Sequence, residues 1–251
     1  MREARSVFEE ELRRRGIPFT VVGDGRYQLE NGTGTLTVNL DNVARDFQRD
    51  GDEAAIARFI DRVLSRLDAP PWEVARTRVY WSAERFDHEF GDTLREPVSD
   101  TVTRVLVVTD LEHGLITWLT PSDLEKWNVS LRELREAADG NLDRLLADKR
   151  PEVANAGDAR LGMIPVDSAL KASVIFAPGF KQFVAAEVGW PVLVVLPCRD
   201  FVYVIAETDQ HLLSRMGAVV QREFRASGYP ITTEVLRISD AGIEAIGRFP
   251  D

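Results

Sequence analysis

Apolar residues recur at three- and four-residue steps through Ile56, Phe59, Ile60, Val63, Leu64 and Leu67. That spacing places them on one face of a helix beginning near Asp52. A shorter stripe comes earlier, with Phe8 and Leu12 four apart. Ser6-Val7-Phe8-Glu9 has the S-x-x-E spacing of a capping box, and Arg13-Arg14-Arg15 before Gly16 supplies a positive last turn and a residue that accepts positive φ. The pattern predicts a helix starting at Ser6. Between the two helices, Phe19 to Val22, Arg26 to Leu29 and Thr35 to Leu40 read as short strands. Gly23-Asp24-Gly25 and Asn31-Gly32 supply hairpin turns between them. The expectation is an antiparallel meander on which the Ile56 to Leu67 helix lies, closed by Pro70-Pro71, where a helix cannot continue.

The middle of the chain changes rhythm. Thr77 to Trp81 and Arg104 to Thr109 are rich in β-branched and aromatic residues, and Glu112-His113-Gly114 separates the second run from Leu115 to Leu119 as in a hairpin. Thr120-Pro121-Ser122-Asp123 and Ser130-Leu131-Arg132-Glu133 are two helix starts, the first with Pro in the first turn and the second a capping box. Leu131, Leu134, Ala138, Leu142 and Leu145 form the inward stripe of the longer helix. Asp148 to Asp158 shows no periodicity and reads as a connection.

The last third has the strongest apolar pattern. Leu161 to Val166 reads as a strand, and Asp167 as the cap of a helix over Ser168 to Ala177 that Pro178-Gly179 interrupts before Phe180 to Val188. Pro191 to Leu196 and Phe201 to Ala206 are nearly continuous apolar strands joined across Pro197-Cys198-Arg199-Asp200. Strands covered on both faces have this character. Asp209 opens a helix with Leu212, Leu213, Met216, Val219, Val220 and Phe224 inward and Gly228 at its end, and Ile231 to Ile238 adds a strand. The element order predicts an α+β fold of small, mostly antiparallel sheets covered by helices, in two or three packed subdomains: residues 1–69, 70–150 and 151–251.

Composition narrows the function classes. The chain has 251 residues and a formal net charge of −10, which argues against a surface that coats nucleic acid or anionic membrane. The acidic surplus is largest in the middle segment. One cysteine, Cys198, supplies neither a disulfide nor a Cys-rich metal site, and no apolar run reaches the length needed to span a bilayer. With no secretory h-region at the N-terminus, the expected location is the cytoplasm.

Screening for chemistry leaves little. Gly23-Asp24-Gly25 and Gly32-Thr33-Gly34 sit between strands, whereas a phosphate cradle needs a strand feeding a helix. His88, His113 and His211 lack the spacing of a metal site. Asp87-His88-Glu89 and Asp110-Leu111-Glu112-His113 read as polar loops, and His211, in the first turn of its helix, as a surface residue. Cys198 lies beside Arg199, which would lower a thiol pKa, but has no adjacent base and reads as a small buried apolar residue. The five tryptophans, Trp72, Trp81, Trp118, Trp127 and Trp190, read as core or seam residues. No cofactor or metal is expected. The polar pair that stands out is Arg199-Asp200, between two apolar strands. Either it solvates or pairs locally within a turn, or it presents an Arg and a carboxylate for recognition.

A resemblance bears on the same residues. Ala172-Ser173-Val174-Ile175-Phe176-Ala177-Pro178, followed by Gly189-x-Pro191-Val192-x-Val194-x-x-Pro197-x-Arg199-Asp200, resembles the A-S-x-x-L-x-P and P-V-x-V-P-x-R-D pattern of the YtpQ-like bacterial family of unknown function. Arg135-Glu136-Ala137-Ala138 before Asn141-Leu142 is similar to that family's R-E-x-A followed by N-L. The resemblance implies that Arg199-Asp200 is a shared feature and implies no mechanism. The expectation is a non-enzymatic binding or regulatory protein whose acidic surface meets another protein, a basic one in its most concrete version, with Arg199 and Asp200 as binding residues and with neither nucleic acid nor membrane as partner. The alternative is an enzyme with an Arg/carboxylate-centred site at that turn.

Overall fold

Helix α1 (Ala4–Arg14) begins a residue pair before the capping-box spacing suggests, and Glu3 precedes it without a side-chain cap. Burial explains the shift, since Ala4 and Val7 are covered together with Phe8 and Leu12, so the apolar stripe starts ahead of Ser6. This computed structural model describes residues 3–23, 25–31, 34–40, 43–44, 47–48, 51–64, 70–87, 91–110, 115–157 and 159–250. The chain divides into two compact units, Met1–Pro70 and Pro71–Asp251. The fold class is α+β with antiparallel sheets.

In the first unit β1 (Phe19–Gly23), β2 (Arg26–Asn31) and β3 (Gly34–Asn39) form the meander in the order β1-β2-β3. Gly25, at φ 71°, takes the left-handed conformation that the first turn requires. Asp24, Gly32 and Thr33 lie outside the described residues. Helix α2 (Glu53–Leu64) carries the apolar stripe, with Ile56, Phe59, Ile60 and Val63 buried, while Leu67 lies outside the described residues. Phe8 joins the layers: its ring centroid is 4.9 Å from Tyr27 on β2 in an edge-on contact and 6.3 Å from Phe59 on α2. Arg15 ties α1 to α2 from outside by donating to Glu11 and Asp61. The guanidinium groups of Arg14 and Arg15 hold the Glu11 carboxyl down to about 2.

The second unit opens with a short helix, α3 (Trp72–Ala75), and a four-stranded sheet of β4 (Val79–Arg85), β5 (Arg95–Pro97), β6 (Val102–Asp110) and β7 (Leu115–Trp118). β6 pairs with β4 along one edge, from Val79↔Val108 to Arg85↔Val102, and divides its other edge between β5 and β7. The pairing of β6 with β7 is the expected hairpin, although residues 111–114 lie outside the described residues. Helices α4 (Pro121–Trp127) and α5 (Leu131–Leu146) start as their spacings predict. Thr120 N–H donates to Asp123 Oδ2 at 2.8 Å, and Ser130 N–H to Glu133 Oε2 at 2.8 Å while Ser130 Oγ accepts from Glu133 N–H. Asn128 turns the chain between them in the left-handed conformation.

A six-stranded antiparallel sheet follows: β8 (Glu152–Ala156), β9 (Ala159–Met163), β10 (Val192–Val195), β11 (Tyr203–Ala206), β12 (Glu234–Ser239) and β13 (Gly242–Arg248), in the spatial order β13-β12-β10-β11-β9-β8. The central strands are covered on both faces. Val192, Val194, Leu196, Val204 and Leu236 join a core shared with β4, β6 and α5, whereas Leu193, Val195, Ile205 and Val235 pack with Leu212, Met216 and Val220. Gly162 on β9 is sterically required, because a Cβ there would come within 2.7 Å of Val188 and 3.2 Å of the Val204 carbonyl oxygen.

Four expectations need correction. Residues 152–156 form strand β8 rather than a connection; the strand is exposed along most of its length, so it lacks the alternation that marks a half-buried one. The segment expected as a helix from Ser168 is a 3₁₀ turn over Lys171–Phe176, then α6 (Phe180–Ala185) beyond Pro178-Gly179. Ser168 Oγ, not Asp167, accepts at its start, from Leu170 N–H. The helix expected from Asp209 is split into a 3₁₀ segment, Glu207–Arg215, and α7 (Gly217–Ala226). Asp209 has non-helical angles within the first part and accepts instead from Arg160 N–H of β9 at 3.0 Å. Strand β12 begins at Glu234, later than Ile231, because 229–232 is spent on another contact.

Ile60 is fully buried in the first unit. Ile60→Ala is expected to lower that unit's stability by about 2 to 5 kcal/mol, read as a fall in urea midpoint. A loss below about 0.5 kcal/mol would remove α2 from the core.

Candidate binding surface

The turn between β10 and β11 is held from beneath. The strands pair from Val192↔Ala206 to Val195↔Tyr203, so residues 196–202 form the connection, a longer one than the apolar pattern suggests. Leu196, Cys198 and Val202 are buried within it. Segment 229–232 staples it: Ile231 N–H donates to the Pro197 carbonyl at 2.8 Å, Arg199 N–H to the Tyr229 carbonyl at 3.3 Å, and Cys198 bridges Pro230. Cys198 is the small buried residue expected of it.

Arg199 and Asp200 part company here. Arg199 Nη2 donates to Glu84 Oε1 at 2.5 Å, and its guanidinium carbon lies 4.4 Å from the centroid of the Tyr229 ring. The two charged side chains are 12% and 4% exposed. Ser82, two residues before Glu84 on β4 and hence on the same face, donates to the same carboxylate oxygen at 2.7 Å. The local Arg199-Asp200 pairing does not form: the partner is a carboxylate on the other sheet, which sequence proximity could not reveal. Further polar contacts continue this join. Ser99 Oγ donates to the buried Glu234 at 2.5 Å, and the hydroxyls of Thr101 and Thr232 are 2.6 Å apart.

Asp200 points outward, exposed, with no hydrogen bond or ion pair among the described residues. Phe201 beside it is 41% exposed and Tyr229 36%, and Phe86, two residues past Glu84, is 54% exposed. The Phe201 ring stacks at 6.3 Å on Tyr203, whose hydroxyl burial pushes up in pKa with help from Glu223. Arg85 lies 5.5 Å over the Phe224 ring of α7 and donates to Asp87 at 2.9 Å. The turn thus presents the Asp200 carboxylate and, next to it in the chain, the half-exposed Phe201 ring. Phe86 and Tyr229 were not singled out by sequence. The available signal was that a charged Arg flanked by apolar strands needs a distant carboxylate.

Elsewhere the ionisable groups hold the fold. Glu96 on β5 accepts from both Arg104 and Arg135, and Arg104 lies 4.3 Å over the Trp81 ring. Trp81 Nε1–H donates at 2.9 Å to Asp139 on α5, whose pKa is raised mainly by burial, with Asp143 and Glu96 adding and the Trp81 hydrogen bond and Arg104 opposing. The fully buried Asn141 donates to the carbonyls of Arg76 and Val79. The tryptophans are core residues: Trp81 is buried, the other four pack against the same core, and Trp72 and Trp127 lie 5.7 Å apart. His211 is exposed, whereas His88, Glu89 and the Leu111-Glu112-His113 group lie outside the described residues. Among the described residues no cluster of His, Cys, Asp or Glu has the arrangement of a metal site, and no helix is long and apolar enough to cross a membrane. A shallow open depression lies where α4 meets α5, lined by Leu124, Glu125, Asn128, Val129 and Ser130; neither Arg199 nor Asp200 lines it. No family model, curated protein or solved structure matches this chain.

Two predictions follow from burial. Arg199→Ala strands the Glu84 carboxylate and is expected to cost on the order of 3 to 5 kcal/mol, whereas Arg199→Met combined with Glu84→Gln recovers most of that loss in the same urea titration. Asp139 has a folded-state pKa above its ordinary 3.8, so the native state takes up a proton first as pH falls, and stability declines as pH rises through that window. Asp139→Asn keeps an acceptor for Trp81. It is expected to be more stable than the parent above the window, with the gain vanishing below 3.8.

Proposed function

We propose that this chain is a non-enzymatic protein-binding protein of the cytosol that meets a basic partner at the Asp200-Phe201 turn. The observation that carries the reading is the division of labour there: Arg199 is consumed by Glu84 and Tyr229, while Asp200 stands exposed with the half-exposed Phe201 next to it in the chain. An arginine or lysine of a partner gains from both kinds of group, by a charge-assisted hydrogen bond to the carboxylate and by attraction to the ring faces. A turn stapled through its backbone loses little entropy when a partner docks. The net charge of −10 favours approach of a basic surface from a distance. The similarity of Pro197-x-Arg199-Asp200 to the YtpQ-like pattern points to the same turn. An enzymatic role would ask Arg199 to bind an anion, yet its guanidinium is already matched by a buried carboxylate and a ring, the environment of a supporting group.

The test is capture from host lysate followed by binding kinetics with the recovered protein. Asp200→Asn and Phe201→Ala are each expected to weaken capture about tenfold while changing stability by less than about 1 kcal/mol, and association should slow as salt screens the charges. Capture unchanged by both substitutions would refute the proposal.

A further inference from the structure

In the first unit, β1 is an outer strand, with β2 as its one neighbour in the sheet among the described residues. Its residues Phe19-Thr20-Val21-Val22-Gly23 carry no charge, and Val21 and Val22 are 56% and 48% exposed. Outer strands normally carry charges or proline because a bare edge invites another strand. The outer strands of the six-stranded sheet conform, with Glu152 on β8 and Glu244 and Arg248 on β13. β1 does not.

The register shows which backbone groups the edge offers. Glu30 N–H donates to the Pro18 carbonyl, and the strands then pair as Phe19↔Leu29, Thr20↔Gln28 and Val21↔Tyr27. Antiparallel ladders alternate between bonded and non-bonded pairs, so Thr20 spends its N–H and C=O on β2 while those of Phe19 and Val21 face away. The bulge between Val21 and Gly23 confines this regular edge to its first part.

We infer that two copies of this chain associate by antiparallel pairing of β1 with β1 about a two-fold axis at Val21. That axis brings the outward N–H and C=O of Val21 opposite those of its counterpart, so each donates to the other. Val22 then faces Thr20 of the second copy, and the valines cover one another. A second copy is the occupant favoured by these residues because the strand is self-complementary under the two-fold operation and places no like charges opposite each other. Each copy also carries a net charge of −10, which opposes approach, so the pairing is weak and strengthens as salt rises. Association with a basic partner has the opposite salt dependence, and the two are therefore distinguishable.

Sedimentation equilibrium of the full chain from low to hundreds of micromolar, at low and high salt, provides the test. A monomer–dimer equilibrium shifting toward dimer with salt is expected. Val21→Pro deletes the outward N–H while leaving the bonds to β2 intact, and Val21→Lys adds charge at an exposed position; each is expected to raise the dissociation constant at least about tenfold. Circular dichroism establishes that each variant is folded, and Val21→Lys decides the matter if the proline variant is not. A chain that stays monomeric throughout, a dimer that dissociates as salt rises, or a dimer indifferent to Val21→Lys would each overturn the inference.

Discussion

The second unit depends on an ion pair that is costly to bury. Desolvating a guanidinium and a carboxylate costs several kcal/mol for each ion, and attraction between them offsets this only when geometry and remaining hydrogen bonds are good. Around Glu84 and Arg199 these conditions are met, because Ser82 donates to the carboxylate and Tyr229 lies against the guanidinium. The pair connects β4 of one sheet to the β10–β11 turn of the other. Apolar packing alone would permit the sheets to slide, since dispersion is non-directional. A charged hydrogen bond of 2.5 Å does not. The hydroxyl pair of Thr101 and Thr232 and the bond from Ser99 to Glu234 fix the same relation at further points.

The packing of β10 and β11 makes such a join useful. Alternate residues enter two different cores, so displacing either strand by one residue would exchange every side chain between them. The turn joining these strands inherits their rigidity, and the 229–232 staple adds backbone bonds from a segment that follows α7. That suits recognition by a few pre-placed groups, because little freedom remains to be lost on binding.

What the sequence made legible follows from how local each cause is. The Ile56 to Val63 stripe, the meander, the Pro at the start of α4 and the capping box of α5 arise from neighbours within a few residues, and their spacing carries the information. β10 and β11 show because burial on both faces leaves uninterrupted apolar runs. β8 and β13 are outer strands with little burial, so nothing in their pattern separates them from loops. The 3₁₀ segment Lys171–Phe176 is hidden for the opposite reason: Ala172 through Phe176 are all buried, and no polar face marks a period. At the candidate site, Arg199-Asp200 was visible as charge between apolar runs. Its partner was not, because Glu84 lies 115 residues earlier, near the end of β4 and beyond Trp81, where the apolar pattern ends that strand.

The dipeptide also shows how two adjacent charged residues come to have unrelated roles. The residues flanking the bend are anchored, with Cys198 on Pro230 and Val202 in the core. Arg199 turns inward to Glu84 while Asp200 is exposed, and Phe201 just before β11 stays half-exposed, stacked on Tyr203. An arginine and an aspartate in sequence therefore need not act on the same ligand. The arginine is selected by the cost of a buried carboxylate, and the aspartate is the group it sets before solvent.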